Sequence, residues 1–77
     1  MKDVKVSKIR FIMFAKGLTQ SQLGKMANIS AATVNGVIRR IENGDISDQA
    51  TQRHIKLISL ALDLKPEQLI GDAILVL

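Results

Sequence analysis

The chain has 77 residues and no cysteine, so we expect one domain, residues 1–77, whose small core is stabilised by neither disulfides nor thiolate metal sites. The absence of cysteine fits a reducing cytoplasm. No apolar run approaches the ~20 residues of a membrane-spanning helix and no signal peptide is evident, so we expect a soluble protein that is not in a membrane. Residues 1–41 hold eight lysines and arginines and one acidic residue, a net charge of +7, whereas the remainder holds three basic and six acidic residues, a net charge of −3.

The first predicted helix runs from about residue 7 to Lys16 and ends at Gly17, a typical helix stop. Its core-facing residues are predicted to be Val6, Ile9, Ile12 and Met13. Phe11 and Phe14 lie outside this stripe, and a second apolar stripe needs a cover. Either the following loop or the C-terminal tail could supply that cover.

A capping box predicts where the second helix begins. Thr19 is followed three residues later by a glutamine, so each side chain can bind the other residue's free backbone N–H group. We expect this helix over about residues 19–27, and then a turn at Asn28, a residue that tolerates the left-handed conformation. Ser30 can cap a third helix over about residues 31–42. The buried face of this third helix is predicted to be Val34, Val37, Ile38 and Ile41.

The outer face of the third helix carries short and basic side chains beside a basic half of the chain, which is typical of a helix that enters the DNA major groove. Ala31 and Ala32 could contact a thymine methyl group, and Asn35 could pair with adenine. The predicted DNA-binding residues are Thr19, Gln20, Ser30, Ala31, Ala32, Thr33, Asn35, Gly36, Arg39 and Arg40. The alternatives are that Thr33 only supports the helix cap and that the two arginines are ordinary surface residues.

Gly36 allows a second interpretation of this segment. Inside a helix it costs roughly 1 kcal/mol relative to alanine, so we expect a reason for it, such as close approach to DNA backbone. Alternatively, Asn35-Gly36 between β-branched residues could form a hairpin turn. The helical spacing of the apolar residues favours the helix.

Two further helices are predicted after the polar connector at residues 45–48. The fourth spans about Gln49 to Leu62, and Leu57 and Leu60 widen its apolar arc. The fifth is short, with Pro66 at its first position and Gly71 as its stop. His54 has no companion ligand or nucleophile, so we interpret it as a surface or packed residue.

The last residues form an apolar tail, residues 73–77, that needs a cover. Three covers are open: the surface around Phe11 and Phe14, the same region of a second subunit, or a continuation of the chain. We favour a homodimer. The residues assigned to dimer or tail packing are Phe11, Phe14, Leu57, Leu60, Ile74, Leu75, Val76 and Leu77.

Several of these segments resemble the Cro/repressor, or XRE, family of helix-turn-helix proteins. The resemblance lies in Gly17-Leu18-Thr19-Gln20, Leu23, Ala27, Ile29-Ser30 and Ile41-Glu42-Asn43-Gly44. Downstream, residues 55–64 and Pro66-Glu67-Gln68-Leu69 are similar to the family's last two helices, so the resemblance covers roughly Val6 to Gly71. It implies a lambda-repressor-like, all-α bundle of about five short helices. The family's closing apolar-Glu-x-Gly arrives four residues late here, so we expect a recognition helix about one turn longer than usual.

The predicted function is therefore sequence-specific binding of double-stranded DNA by a transcriptional repressor of phage or mobile-element type, acting as a dimer. An antitoxin or another protein-interaction module that binds a protein partner is the alternative. The sequence offers no paired acid and base, metal cluster or phosphate loop, so we expect no enzyme activity, no cofactor and no metal.

Overall fold

The computed structural model describes residues 2–76, and the predicted role of Leu77 therefore lies outside the described residues. Four α-helices form most of the domain: α1 (Lys8–Lys16), α2 (Gln20–Ala27), α3 (Ala31–Asn43) and α4 (Gln49–Ala61). A strand at each end of the described chain, β1 (Asp3–Ser7) and β2 (Asp72–Val76), adds a two-stranded antiparallel sheet. No helix among the described residues is long and apolar enough to cross a membrane.

The helices begin and end at residues suited to capping. Thr19 and Gln22 form the predicted capping box, with the Thr19 N–H donating to Gln22 Oε1 at 2.8 Å and the Gln22 N–H donating to Thr19 Oγ1 at 3.1 Å. Gly17, Asn28 and Gly44 each end a helix in the left-handed conformation, with φ of 65°, 61° and 74°. These caps place three sharp stops between four helices, so the helices fold back on one another.

The core lies where the four helices meet. Its fully buried apolar side chains are Ile9, Leu23, Val34, Ile38, Ile55, Ile58 and Leu69. In α3 the buried residues are the predicted Val34, Val37, Ile38 and Ile41. The helix is continuous through Asn35 and Gly36, so the hairpin alternative for this segment is wrong.

The prediction of an all-α fold is wrong because the apolar tail forms β2 and pairs with β1. In this pairing Val4 lies opposite Leu75 and Val6 lies opposite Ala73. These four side chains are half-buried on the inner face of the sheet. The alternate residues of both strands have exposed side chains, except Ser7, which is buried and caps α1. The alternation has the period of two that a sheet with one covered face requires.

The prediction of a fifth α-helix is also wrong. Only a single 3₁₀ turn forms, at Pro66–Gln68. Gln68 Oε1 accepts the N–H of Lys65 at 2.8 Å, and Gly71, with φ of 102°, redirects the chain into β2. Leu69 follows this turn and is fully buried in the core, and β2 begins three residues later, at Asp72.

The tail covers part of the surface around the two phenylalanines. Leu75 and Val6 line an open hollow of about 300 Å³ together with Phe11, Phe14 and Leu18. Phe11 is half-buried there, but 67% of Phe14 stays exposed. Of the three covers predicted for the tail, the surface around Phe11 and Phe14 is therefore present in the described chain but covers the tail only in part.

Candidate nucleic-acid interface

The turn between α2 and α3 is tight because Gly24 has no side chain. A Cβ added at Gly24 would lie 2.6 Å from the backbone oxygen of Ile29, closer than non-bonded atoms pack. The N–H of Ile29 donates to the backbone oxygen of Gly24 at 2.9 Å. With the left-handed Asn28 between them, these contacts fix the direction in which α3 leaves α2, which is the arrangement of a helix-turn-helix.

The solvent face of α3 is formed by four residues, Ala32, Gly36, Arg39 and Asn43, which we call the α3 ridge. They follow one another at i, i+4, i+7 and i+11, opposite the buried face. Ala32, Arg39 and Asn43 are exposed. A Cβ added at Gly36 would meet no heavy atom within 4 Å, so an incoming molecule can approach the helix backbone there.

Asn43 is a ridge residue that the sequence analysis missed. The helix was predicted to end near residue 42, whereas α3 includes Asn43 and is capped by Gly44. The signal was present, because Asn43 continues the spacing of Ala32, Gly36 and Arg39.

Asn35 lies on the flank of α3 that faces α2, and its side chain is bound to Gln20. The Gln20 Nε2 group donates to Asn35 Oδ1 at 3.2 Å. The acceptor oxygen has a second lone pair, and the Asn35 Nδ2 group remains as a donor, so Asn35 keeps the groups that pairing with adenine needs. This hydrogen bond fixes the orientation of the Gln20 and Asn35 side-chain amides, both of which were predicted to bind DNA.

Two of the predicted hydroxyl-bearing residues, Thr19 and Ser30, cap helices, and the third, Thr33, is bound to Ser30. Thr19 Oγ1 caps α2 as described above, and Ser30 Oγ accepts the N–H of Thr33 at 3.0 Å. The Ser30 and Thr33 hydroxyl oxygens lie 2.8 Å apart. A hydroxyl that caps a helix keeps capacity for further hydrogen bonds, so Thr19 and Ser30 can contact DNA while they hold the helix ends. Between Ser30 and Thr33, Ala31 is half-buried and Ala32 is exposed.

Arg40 lies on the flank of α3 that faces α4, where it is held by the protein itself. Its Nη1 group donates to Thr51 Oγ1 at 3.1 Å and lies 3.8 Å from Asp48 Oδ2. The backbone N–H of Thr51 donates to Asp48 and, with the Thr51 hydroxyl and Arg40, lowers the pKa of that carboxyl. Arg40, Asp48 and Thr51 line a hollow of about 210 Å³ that also borders Gly36. Arg40 is thus less available than Arg39.

Arg10 and Glu42 connect α1 to the end of α3. Arg10 donates to both carboxylate oxygens of Glu42, from Nε at 2.5 Å and from Nη2 at 3.2 Å. The Ser7 hydroxyl donates to Glu42 at 2.9 Å. The hydrogen bond from Arg10 lowers the pKa of Glu42 most, and the weaker effect of the Ser7 bond lowers it further. The Glu42 carboxylate in turn raises the pKa of Arg10. This fork-shaped pair fixes α3 against α1, and sequence analysis missed it.

The residues assigned to dimer or tail packing do not form one cluster. Phe11, Phe14 and Leu75 line the first hollow described above. Leu57 and Leu60 lie on α4, with 66% of Leu60 exposed, and Ile74 and Val76 project from the outer face of the sheet. These three surfaces are separate candidates for contact with another molecule.

The tight α2–α3 turn, the buried face of α3 and its open ridge define a helix-turn-helix domain. A helix-turn-helix family profile matches residues 9–69. The chain belongs to this family, in its XRE or Cro/repressor type, and is a DNA-binding regulator of that type. Neither the curated proteins nor the solved structures gave a significant match.

Proposed function

We propose that this protein represses transcription by binding a specific site in double-stranded DNA and blocking access to a promoter. The α3 ridge is the observation that carries this proposal. A helix whose exposed residues are small at its N-terminal half and polar at its C-terminal half can enter the major groove without steric conflict. Asn43 and Arg39 then lie beside the groove wall, where phosphates are.

Four residues of α3 and Gln20 of α2 have distinct roles in the proposal. Ala32 contacts a thymine methyl group, and Asn35, oriented by Gln20, pairs with adenine. Arg39 binds phosphate or guanine. Gln20 is in the first turn of α2, where its amide and the free backbone N–H groups bind a phosphate oxygen. Arg40 positions the start of α4 and reaches DNA only if it leaves Thr51.

Two subunits reading two half-sites complete the proposal, because palindromic sites and two-fold dimers are the usual partners of this motif. A small repressor of this kind suits a phage or another mobile element. Such a regulator works in the cytoplasm. It binds without turnover, and it uses no cofactor.

Selection from random double-stranded DNA tests the function directly. We expect an enriched motif with two-fold symmetry, and its spacing would give the distance between half-sites. Asn35→Ala should then lose about 1–3 kcal/mol of discrimination at one base pair while other positions keep theirs. A selection that enriches no motif, or an Asn35→Ala variant with unchanged site preference, would contradict the proposal or its assignment of the reading residue.

A protein-binding role, such as that of an antitoxin, is the second candidate. It is favoured by Leu60 and Leu57, of which 66% and 37% are exposed on α4. Because they lie three residues apart on one helix, these two side chains are neighbours in an exposed apolar patch, the kind of surface that binds a protein partner. Co-purification with one stable protein partner, lost in Leu60→Asp but kept in Asn35→Ala, would support this role.

A further inference from the structure

The outer edge of β2 carries unpaired backbone groups. The N–H of Lys8 donates to the backbone oxygen of Gly71 at 2.9 Å, which makes these two residues a hydrogen-bonded pair just outside the register of the sheet. Hydrogen-bonded and non-bonded pairs alternate in an antiparallel ladder. The bonded pairs are therefore Val6 with Ala73 and Val4 with Leu75. Asp72, Ile74 and Val76 direct their N–H and C=O groups away from β1, and no strand among residues 2–76 meets them.

The same three residues also project their side chains from the outer face of the sheet. Ile74 is 57% exposed and Val76 is 58% exposed. Free backbone groups and uncovered apolar side chains therefore coincide on one short strand. Such an edge is a template for another strand.

The edge of β1 is protected in a way that the edge of β2 is not. The corresponding β1 residues are Asp3, Lys5 and Ser7. Two of them are charged, and the third is buried as the N-cap of α1. Charged side chains, lysine above all, discourage strand addition. Strand addition is therefore directed to β2, where Asp72 at one end is the only charged residue and already contacts Lys5 at 3.4 Å.

From this asymmetry we infer that β2 pairs antiparallel with β2 of a second copy of this chain, with a two-fold axis at Ile74. In that register Ile74 lies opposite the partner's Ile74, and Asp72 lies opposite the partner's Val76. All free backbone groups of the three residues are then paired. A shift by one residue would put inner side chains opposite outer ones and leave these groups unpaired. The inference rests on the dimer of the proposed function and identifies its interface.

A second copy fits this edge because the register is self-complementary, as an interface with two-fold symmetry requires. The result is a four-stranded sheet in the order β1, β2, β2 and β1. Two five-residue strands bury less than the roughly 1,200 Å² of a standard stable interface. The free dimer is therefore weak, and binding of both subunits to one DNA molecule strengthens it through effective concentration.

Cysteine cross-linking tests the register, since the chain has no cysteine of its own. In Ile74→Cys the two Cα atoms would be about 5.5 Å apart, within the range of a disulfide. We expect mild oxidation to give a covalent dimer. Lys5→Cys is the matched control on the same outer face, because its Cα atoms would be about 14 Å apart across three strand spacings. Absence of the Ile74→Cys dimer, or equally fast cross-linking of Lys5→Cys, would overturn the inference.

A second variant separates this interface from DNA binding. Ile74→Lys should keep the helical circular dichroism and the affinity for an isolated half-site, because Ile74 is exposed and distant in sequence from α3. It should raise the dimer dissociation constant at least tenfold in sedimentation and lose cooperative binding to the full site. Unchanged sedimentation would overturn the inference. If wild type binds no DNA while Ile74→Cys still cross-links, the proposed function fails and the interface stands.

Discussion

Gly36 lies in the middle of α3, and a Cβ added there would have no heavy atom within 4 Å. The fold itself therefore does not need a glycine at this position, although glycine costs about 1 kcal/mol relative to alanine in a helix. Gly36 lies on the α3 ridge and borders the hollow beside Arg40. We attribute it to the close approach of DNA.

Gly36→Ala should accordingly stabilise the protein by about 1 kcal/mol and weaken DNA binding. The control is Gly24→Ala, which should give no such gain because its Cβ would meet the Ile29 oxygen at 2.6 Å. Urea unfolding measures the first effect and a titration of DNA the second. An alanine at residue 36 that leaves DNA affinity unchanged would show that DNA does not approach the helix there.

The elements that follow from local signals were predictable, and those that depend on distant pairing were not. The capping box at Thr19, the αL residue Asn28 and the spacing of Val34 and Ile41 are all visible within a few residues of sequence. They suffice to predict α2, the turn and α3, and hence the helix-turn-helix. The ridge follows from the same spacing once the end of α3 is known.

The sheet could not be predicted in the same way. Each strand has only five residues, and β1 and β2 stand at opposite ends of the described chain. Val4 and Val6 do alternate with polar residues, but two residues are too few to define a strand without their partner. The Arg10–Glu42 pair, 32 residues apart in sequence, was hidden for the same reason, because nothing local connects its members.

The contact between α1 and α3 should depend on pH through Glu42. Its pKa in the folded protein is lowered by Arg10 from the ordinary value of 4.5. Its contribution to stability is therefore fully present above that ordinary value and is lost as the pH falls through the lowered one. Glu42→Gln should lower the free energy of unfolding by about 1 kcal/mol at pH 7, a modest value because the pair is partly exposed to solvent.

Urea unfolding of wild type and Glu42→Gln over a series of pH values checks this expectation. The difference between the two proteins should shrink as the pH falls below 4.5. Asp45→Asn removes one nearby negative charge without touching Arg10 and serves as the control. A difference that stays constant down to the acid limit would show that packing, and not the carboxylate, connects the two helices.

At the scale of the whole molecule, the acidic part of the chain neutralises specific cations of the basic part. The three ion pairs found among residues 2–76 are Lys5–Asp72, Arg10–Glu42 and Arg40–Asp48. Each joins a base from residues 1–41 to an acid from residues 42–77. The net charge of +7 on residues 1–41 is therefore an upper limit on the positive charge that faces DNA. Of the two arginines of α3, Arg39 on the ridge is the one that these three pairs leave available.

Salt dependence distinguishes the available cations from the occupied ones. Each phosphate contact releases condensed counterions, so the logarithm of DNA affinity falls linearly with the logarithm of salt concentration, with a slope of about −0.9 per contact. Arg39→Ala should make this slope shallower by about 1. Arg53→Ala, which removes the same charge from the solvent face of α4, should leave the slope unchanged because it does not belong to the ridge. Equal effects of the two variants would mean that only the overall charge attracts DNA, and that the ridge does not position its phosphates.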